Sequence, residues 1–128
     1  MDANQRESLN HLVESVIGGV YEVSNVLGVG FLEKVYERAL VIELGQRGIV
    51  AESQFPLKIR YKGELVGDYF VDILVEKKLL LELKCVERLS EEHLAQTLDY
   101  LKASGLHIAL LINFQHPKAE WRRVVLDF

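Results

Sequence analysis

Apolar residues recur at helical spacing early in the chain: Leu9, Leu12, Val13, Val16, Ile17, Val20, Val23 and Leu27. The spacing predicts a first helix of about five turns, over roughly residues 5–26. Gly18 and Gly19 lie inside it, where they weaken the helix or admit the close approach of another element. Gly28 and Gly30 end it. Phe31 opens a second helix, with Leu32, Val35, Tyr36, Ala39, Leu40 and Ile42 on its apolar side and Gly45 and Gly48 at its close. A strand follows over roughly residues 51–61. Pro56 marks it as an edge strand or a broken one, and Lys58, Arg60 and Lys62 alternate with Leu57, Ile59 and Tyr61.

After a turn at Lys62-Gly63-Glu64, two strands are expected over roughly Leu65–Val75 and Leu79–Val86, joined by the polar residues Glu76-Lys77-Lys78. Ser90 reads as the N-cap of a third helix. Glu91 and Glu92 suit its positive end, Leu94, Leu98 and Leu101 form its buried stripe, and Gly105 stops it. His107 to Phe114 is a nearly continuous apolar run, the pattern of a strand covered on both faces. Trp121 to Phe128 reads as a last, short edge strand.

Composition narrows the class. The 128 residues are 49% hydrophobic and 27% charged, which describes one domain over residues 1–128 with a core of its own. A chain of this size needs no disulfide or structural metal to fold. The lone Cys85 excludes an internal disulfide and, inside an apolar run, reads as a small buried hydrophobe. His11, His107 and His116 are scattered, so no Cys/His cluster suggests zinc. The polar N-terminus lacks the layout of a signal peptide, and no apolar run is long enough to cross a bilayer. A cytoplasmic location is expected. A net charge of -4 argues against a broad non-specific nucleic-acid surface, although a site that gathers carboxylates would itself lower the charge. Gly28-Val29-Gly30 lies between two helices and not after a strand, so it is no dinucleotide fingerprint. No phosphate-cradling loop supports an enzyme acting on a small phosphorylated substrate.

The hairpin carries the candidate chemistry. Side chains two apart on a strand share a face. Leu80, Glu82, Lys84 and Val86 therefore share one face, and Asp68, Phe70, Asp72 and Leu74 share one face of the preceding strand, with Tyr69, Val71, Ile73 and Val75 opposite. A three-residue turn pairs Val75 with Leu79 and Asp72 with Glu82, so charged residues meet charged ones. A two-residue turn sets Asp72 beside Leu81 and mixes the faces, so the three-residue turn is expected. Facing carboxylates repel unless a cation lies between them. A hard divalent cation commonly takes one or two carboxylates plus water and phosphate, and Lys84 is placed to orient a water or stabilise phosphate charge. A solvated, salt-bridged face also fits this spacing, because Glu-x-Lys arises by chance, as at Glu76-Lys77-Lys78.

Asp72, then Glu82-Leu83-Lys84, then a helix with Gln96 and Tyr100 resembles the PD-(D/E)xK nuclease superfamily. Its variable proline position holds Val71 here. The chain is more closely similar to the GxxExxY proteins, whose motif is Gly30-Phe31-Leu32-Glu33-Lys34-Val35-Tyr36, and the similarity runs from the first helix to Phe114. The resemblance implies an α/β (α+β) restriction-endonuclease-like core, a mixed central β-sheet flanked by helices. It implies Asp72, Glu82 and the Leu83 carbonyl as ligands of Mg²⁺ or Mn²⁺, Glu33 as a further ligand directly or through water, and Lys84 as the residue that positions or activates water. Gln96 and Tyr100, one turn apart, would touch metal-bound water or the substrate backbone.

Plainer roles stand beside these. Glu33 suits the first turn of its helix, Tyr36 reads as a core aromatic with a satisfied hydroxyl, and Gln96 and Tyr100 fit half-buried helix positions. His93 reads as a solvent histidine and Asp68 as a structural acid. Two functions follow. One is a metal-dependent nuclease acting on DNA or RNA. The other is a non-catalytic nuclease-like module that binds nucleic acid or a protein partner; Lys58, Arg60 and Lys62 and the pair Arg122-Arg123 would serve either function, by binding phosphate or an acidic partner. Edge strands at both ends of the sheet also allow a homodimer.

Overall fold

In the computed structural model, which describes residues 1–128, eight elements follow one another: α1 (Ala3–Leu27), α2 (Glu33–Gln46), β1 (Ala51–Tyr61), β2 (Glu64–Val75), β3 (Leu79–Lys84), α3 (Glu91–Ser104), β4 (Ile108–Asn113) and β5 (Glu120–Val125). The strands form one sheet in the order β1-β2-β3-β4-β5. β3 and β4 are parallel and all other neighbours antiparallel. The parallel pair needs a crossover, and α3 supplies it.

β3 and β4 are central and covered on both sides, which is why β4 is apolar from Ile108 to Ile112 and β3 is apolar apart from Glu82 and Lys84. Alternate residues (Ile73, Val75, Leu79, Leu81, Ile108 and Leu110 among them) pack against α1 and α2. The intervening Leu74, Leu80 and Ala109 pack with Tyr100 and Leu101 of α3. Pro56 sits on the edge strand β1, as its missing N–H requires. No helix is long and apolar enough to cross a membrane.

Several details differ from the sequence expectations. α2 begins at Glu33, includes Gly45, and buries Tyr36, Leu40 and Leu44. Leu32, Val35 and Ile42, expected on its apolar side, are exposed. A helix resting on α1 and the sheet covers only a narrow i, i+4, i+8 stripe. β3 stops at Lys84 and not Val86, because the Asn113 side chain takes both backbone groups of Val86: Nδ2 donates to its carbonyl and Oδ1 accepts from its N–H. On α3 the fully buried positions are Thr97, Tyr100 and Leu101, with Leu94 and Leu98 half-buried. His93 is a cap residue: its Nδ1 accepts the N–H of Ser90 while Ser90 Oγ accepts the N–H of His93.

Val71 also changes side. It packs in the α3-side cluster and not with Ile73 and Val75. The change falls where the β1–β2 pairing passes from Ser53↔Ile73 to Phe55↔Val71. Gln54, between them on β1, has φ +54°, and such a kink turns the strands about their axes. Asp72 lies at this pivot.

The two helical glycines serve close approach. A Cβ on Gly18 would lie 2.9 Å from Arg47 Nη1, and one on Gly19 would lie 3.2 Å from Leu44 Cδ2. α2 therefore rests nearly backbone to side chain on α1.

Candidate active site

The hairpin register is Val75↔Leu79, Leu74↔Leu80 and Ile73↔Leu81, as a three-residue turn requires. Lys78 N–H donates to the Val75 carbonyl across that turn, and Glu76 and Lys77 both take positive φ. Beyond Ile73↔Leu81 the backbone ladder opens, and side chains take over at the next pair. Leu83 N–H donates to Asp72 Oδ2 at 2.7 Å, and Asp72 N–H donates to Glu82 Oε1 at 3.2 Å. Each carboxylate is thereby fixed to backbone N–H by one oxygen. Asp72 Oδ1 and Glu82 Oε2 have no protein partner, and every fully buried side-chain polar atom has one, so both reach solvent.

Burial and like charge make this pair reluctant to ionise. Burial first, then the neighbouring Asp72, pushes Glu82 up to about 8. Burial also raises Asp72; the Leu83 N–H opposes it, while Glu37 and Glu33 add to it. The charge of Lys84 lowers both carboxylates, and its carbonyl accepts from Phe114 N–H at 2.9 Å. Two fixed carboxylates with one free oxygen each are the hard donors that Mg²⁺ or Mn²⁺ accepts, with water completing the shell. The donor set thus fits such a cation, although no three His, Cys, Asp or Glu side chains close into a ligand cluster. Glu33, in the first turn of α2, acts on Asp72 and Glu82 through its charge and bonds to neither.

A groove of about 750 Å³ runs between α3 and the β1–β2 hairpin, lined by Ile59, Tyr69, Gln96 and Tyr100 among others. Tyr100 lines this groove and packs in the α3-side cluster with Val71, Leu74 and Leu80. Its ring lies 5.9 Å from that of Tyr69, and burial and then Glu82 raise its phenol. Gln96, one turn earlier, is exposed on the rim.

The family model of the PD-(D/E)XK nuclease superfamily matches residues 10–124. The chain belongs to this superfamily. A solved structure with the same fold is the alkaline exonuclease LHK-Exo from Laribacter hongkongensis, at TM-score 0.50 and 12% identity over 84% of this chain and 76% of that one. No curated protein matches the sequence.

Within this superfamily member, the aromatic reading of Tyr36 stands. Its hydroxyl donates to the Gly28 carbonyl at 2.6 Å and accepts from Phe31 N–H at 3.4 Å, and its ring stacks on Phe114 at 4.6 Å. It ties down the loop that leads into Glu33, in which Gly30 takes φ +105°. Cys85 is half-buried with its thiol pushed up by burial, a poor nucleophile. The histidines expected to stand apart do so: His107 Nδ1 meets the Leu126 carbonyl, His116 Nε2 the Glu87 carbonyl, and His11 lies beside Glu7. Asp68 is exposed and faces Lys58 across β1–β2. Lys58 and Arg60 lie on β1 and Arg122 and Arg123 on β5, opposite edges of the sheet, so they form no single basic face.

One residue escaped sequence reading. Glu37 is 5% exposed, accepts from Gln54 Nε2 at 2.8 Å and from Lys34 Nζ at 3.0 Å, and its charge acts on Asp72. The available signal was its place one helical turn after Glu33.

Proposed function

We propose that this protein is a Mg²⁺- or Mn²⁺-dependent nuclease that hydrolyses phosphodiester bonds in DNA or RNA. The observation that carries this reading is the crossed pair of bonds where the ladder opens, Leu83 N–H to Asp72 and Asp72 N–H to Glu82. It spends backbone donors on holding two acidic side chains together with one oxygen of each left open, an arrangement that a divalent cation would stabilise. Asp72, Glu82 and the Leu83 carbonyl would hold that cation, with Glu33 as a further ligand directly or through water. The bound ion supplies a Lewis acid for the phosphoryl oxygen and lowers the pKa of water.

The chain's own groups do the remaining work. The free Lys84 ammonium orients the attacking water and offsets charge on the phosphate. Gln96 and Tyr100 contact the substrate backbone or the reacting water from α3, and the groove beside them receives the strand. The Gly30–Tyr36 motif supports placement in the GxxExxY branch, and the exonuclease named for LHK-Exo supports a nuclease.

Cleavage is tested on single- and double-stranded DNA and RNA, linear and circular, with Mg²⁺ or Mn²⁺. The wild type is expected to cut at least one of these, and Lys84→Ala to lose about 10²-fold or more of the rate. A wild type that cuts none of them, or a Lys84→Ala that cuts equally well, overturns the reading.

A further inference from the structure

Glu37 and Gln54 stand outside the Asp72, Glu82 and Lys84 set, yet both meet it at the pivot of β2. Gln54 is the β1 residue opposite Asp72, between the pairs Ser53↔Ile73 and Phe55↔Val71. Its φ of +54° is a conformation that a non-glycine side chain rarely adopts. Its carboxamide donates to Glu37 Oε1 at 2.8 Å, and Lys34 Nζ donates to the other oxygen at 3.0 Å. Both Glu37 oxygens are thus engaged, one by each donor. A buried acid is costly unless fully hydrogen-bonded, and here the bond reaches from α2 across to an unusual backbone position on β1.

We infer that Glu37 and Gln54 are positioning residues that clamp α2 to β1 and so set how tightly the Asp72–Glu82 pair holds a divalent cation. This rests on the metal-site reading above. The clamp acts in two ways. Glu37 and Glu33 lie four apart on one face of α2, so fixing Glu37 fixes where Glu33 stands relative to Asp72 and Glu82. Buried Tyr36, Leu40 and Leu44 seat α2 on the core; its start has no side-chain cap, and the Glu37–Gln54 bond is what ties this turn to β1. Second, the fixed Glu37 carboxylate adds negative potential at Asp72, which favours a cation there. Outer groups of this kind typically change metal affinity by 10–100-fold.

The test is Mn²⁺ binding to the full chain without nucleic acid, read from the loss of the free-ion electron paramagnetic resonance signal, alongside thermal unfolding without metal. Glu37→Gln keeps the shape and removes the charge. Gln54→Gly removes the donor but suits the positive φ, so backbone relief offsets part of the cost of leaving Glu37 Oε1 unpaired and the variant stays folded. Both are expected to weaken Mn²⁺ binding by roughly tenfold or more. The exchange Glu37→Gln with Gln54→Glu restores a carboxylate–amide pair and is expected to recover most of the lost affinity. A merely structural role predicts that affinity follows metal-free stability, so Gln54→Gly binding as the wild type does overturns the inference, as does Glu37→Gln binding as the wild type does. If the wild type binds no Mn²⁺, or Asp72→Asn binds it equally well, the metal-site reading itself fails and takes the clamp with it.

Discussion

At the residue scale, the central fact is that Glu82 is held next to Asp72 in a poorly solvated place. Between the ordinary carboxylate value of 4.5 and about 8, the folded protein keeps a proton on Glu82 that the unfolded chain has released. The folded state binds more protons in that window, so metal-free stability falls as pH rises from about 4.5 to about 8. Thermal unfolding across this range is expected to show that slope, and Glu82→Gln to flatten it. On the proposed metal-site reading, cation affinity is expected to run the opposite way, rising with pH over the same window, because the proton must leave before the ion enters. Tyr36 is a structural case. Tyr36→Phe leaves the Gly28 carbonyl without its donor and is expected to cost about 1–2 kcal/mol in denaturant unfolding. Strand parity is local, so the sequence marks Asp72, Glu82 and Lys84 as candidates, and the fold brings Asp72 and Glu82 together. It left Glu37 unread because a glutamate one turn along a helix looks like any solvated acid until Gln54, from another element, is brought against it.

At the element scale, local signals did most of the work and failed where two elements meet. Ser90, Gly105 and the turn after Val75 behave as their chemistry dictates: a side-chain N-cap, a left-handed C-cap and a three-residue reversal. The apolar side of α2 is narrower than its spacing predicts, because Leu32, Val35 and Ile42 satisfy helical spacing but lie off the stripe that touches α1 and the sheet. The α1–α2 contact gives a direct test. Gly19→Leu forces a side chain into Leu44 and is expected to destabilise by about 1–3 kcal/mol. Gly18→Ala meets only the flexible end of Arg47 and gains helix propensity, so it is expected to be neutral or stabilising by up to about 1 kcal/mol. Equal losses from the two would mean that α2 does not rest on Gly19 as described.

At the scale of the whole molecule, the sheet supplies a rigid frame and the site sits where its central hairpin opens. On the proposed reading, a cation bound there would couple to global stability. Mg²⁺ or Mn²⁺ at about a hundredfold excess over its dissociation constant is expected to stabilise the wild type by about 2.7 kcal/mol. Asp72→Asn keeps an acceptor for Leu83 N–H but removes the charge. It is expected to lose the response to metal and to be at least as stable as the wild type without metal, as differential scanning calorimetry would show. The sequence by itself determined the order and kind of the elements, the two-sided burial of β3 and β4, and the odd-length turn that sets Asp72 opposite Glu82. Those follow from periodicity and turn chemistry, which act over a few residues. Only the tertiary structure decided where the ladder opens, why Val71 changes side, and that Glu37 and Gln54 meet beside Asp72. Those depend on contacts between distant segments, and no local pattern of hydrophobic and polar positions encodes the distance between two charges on different elements.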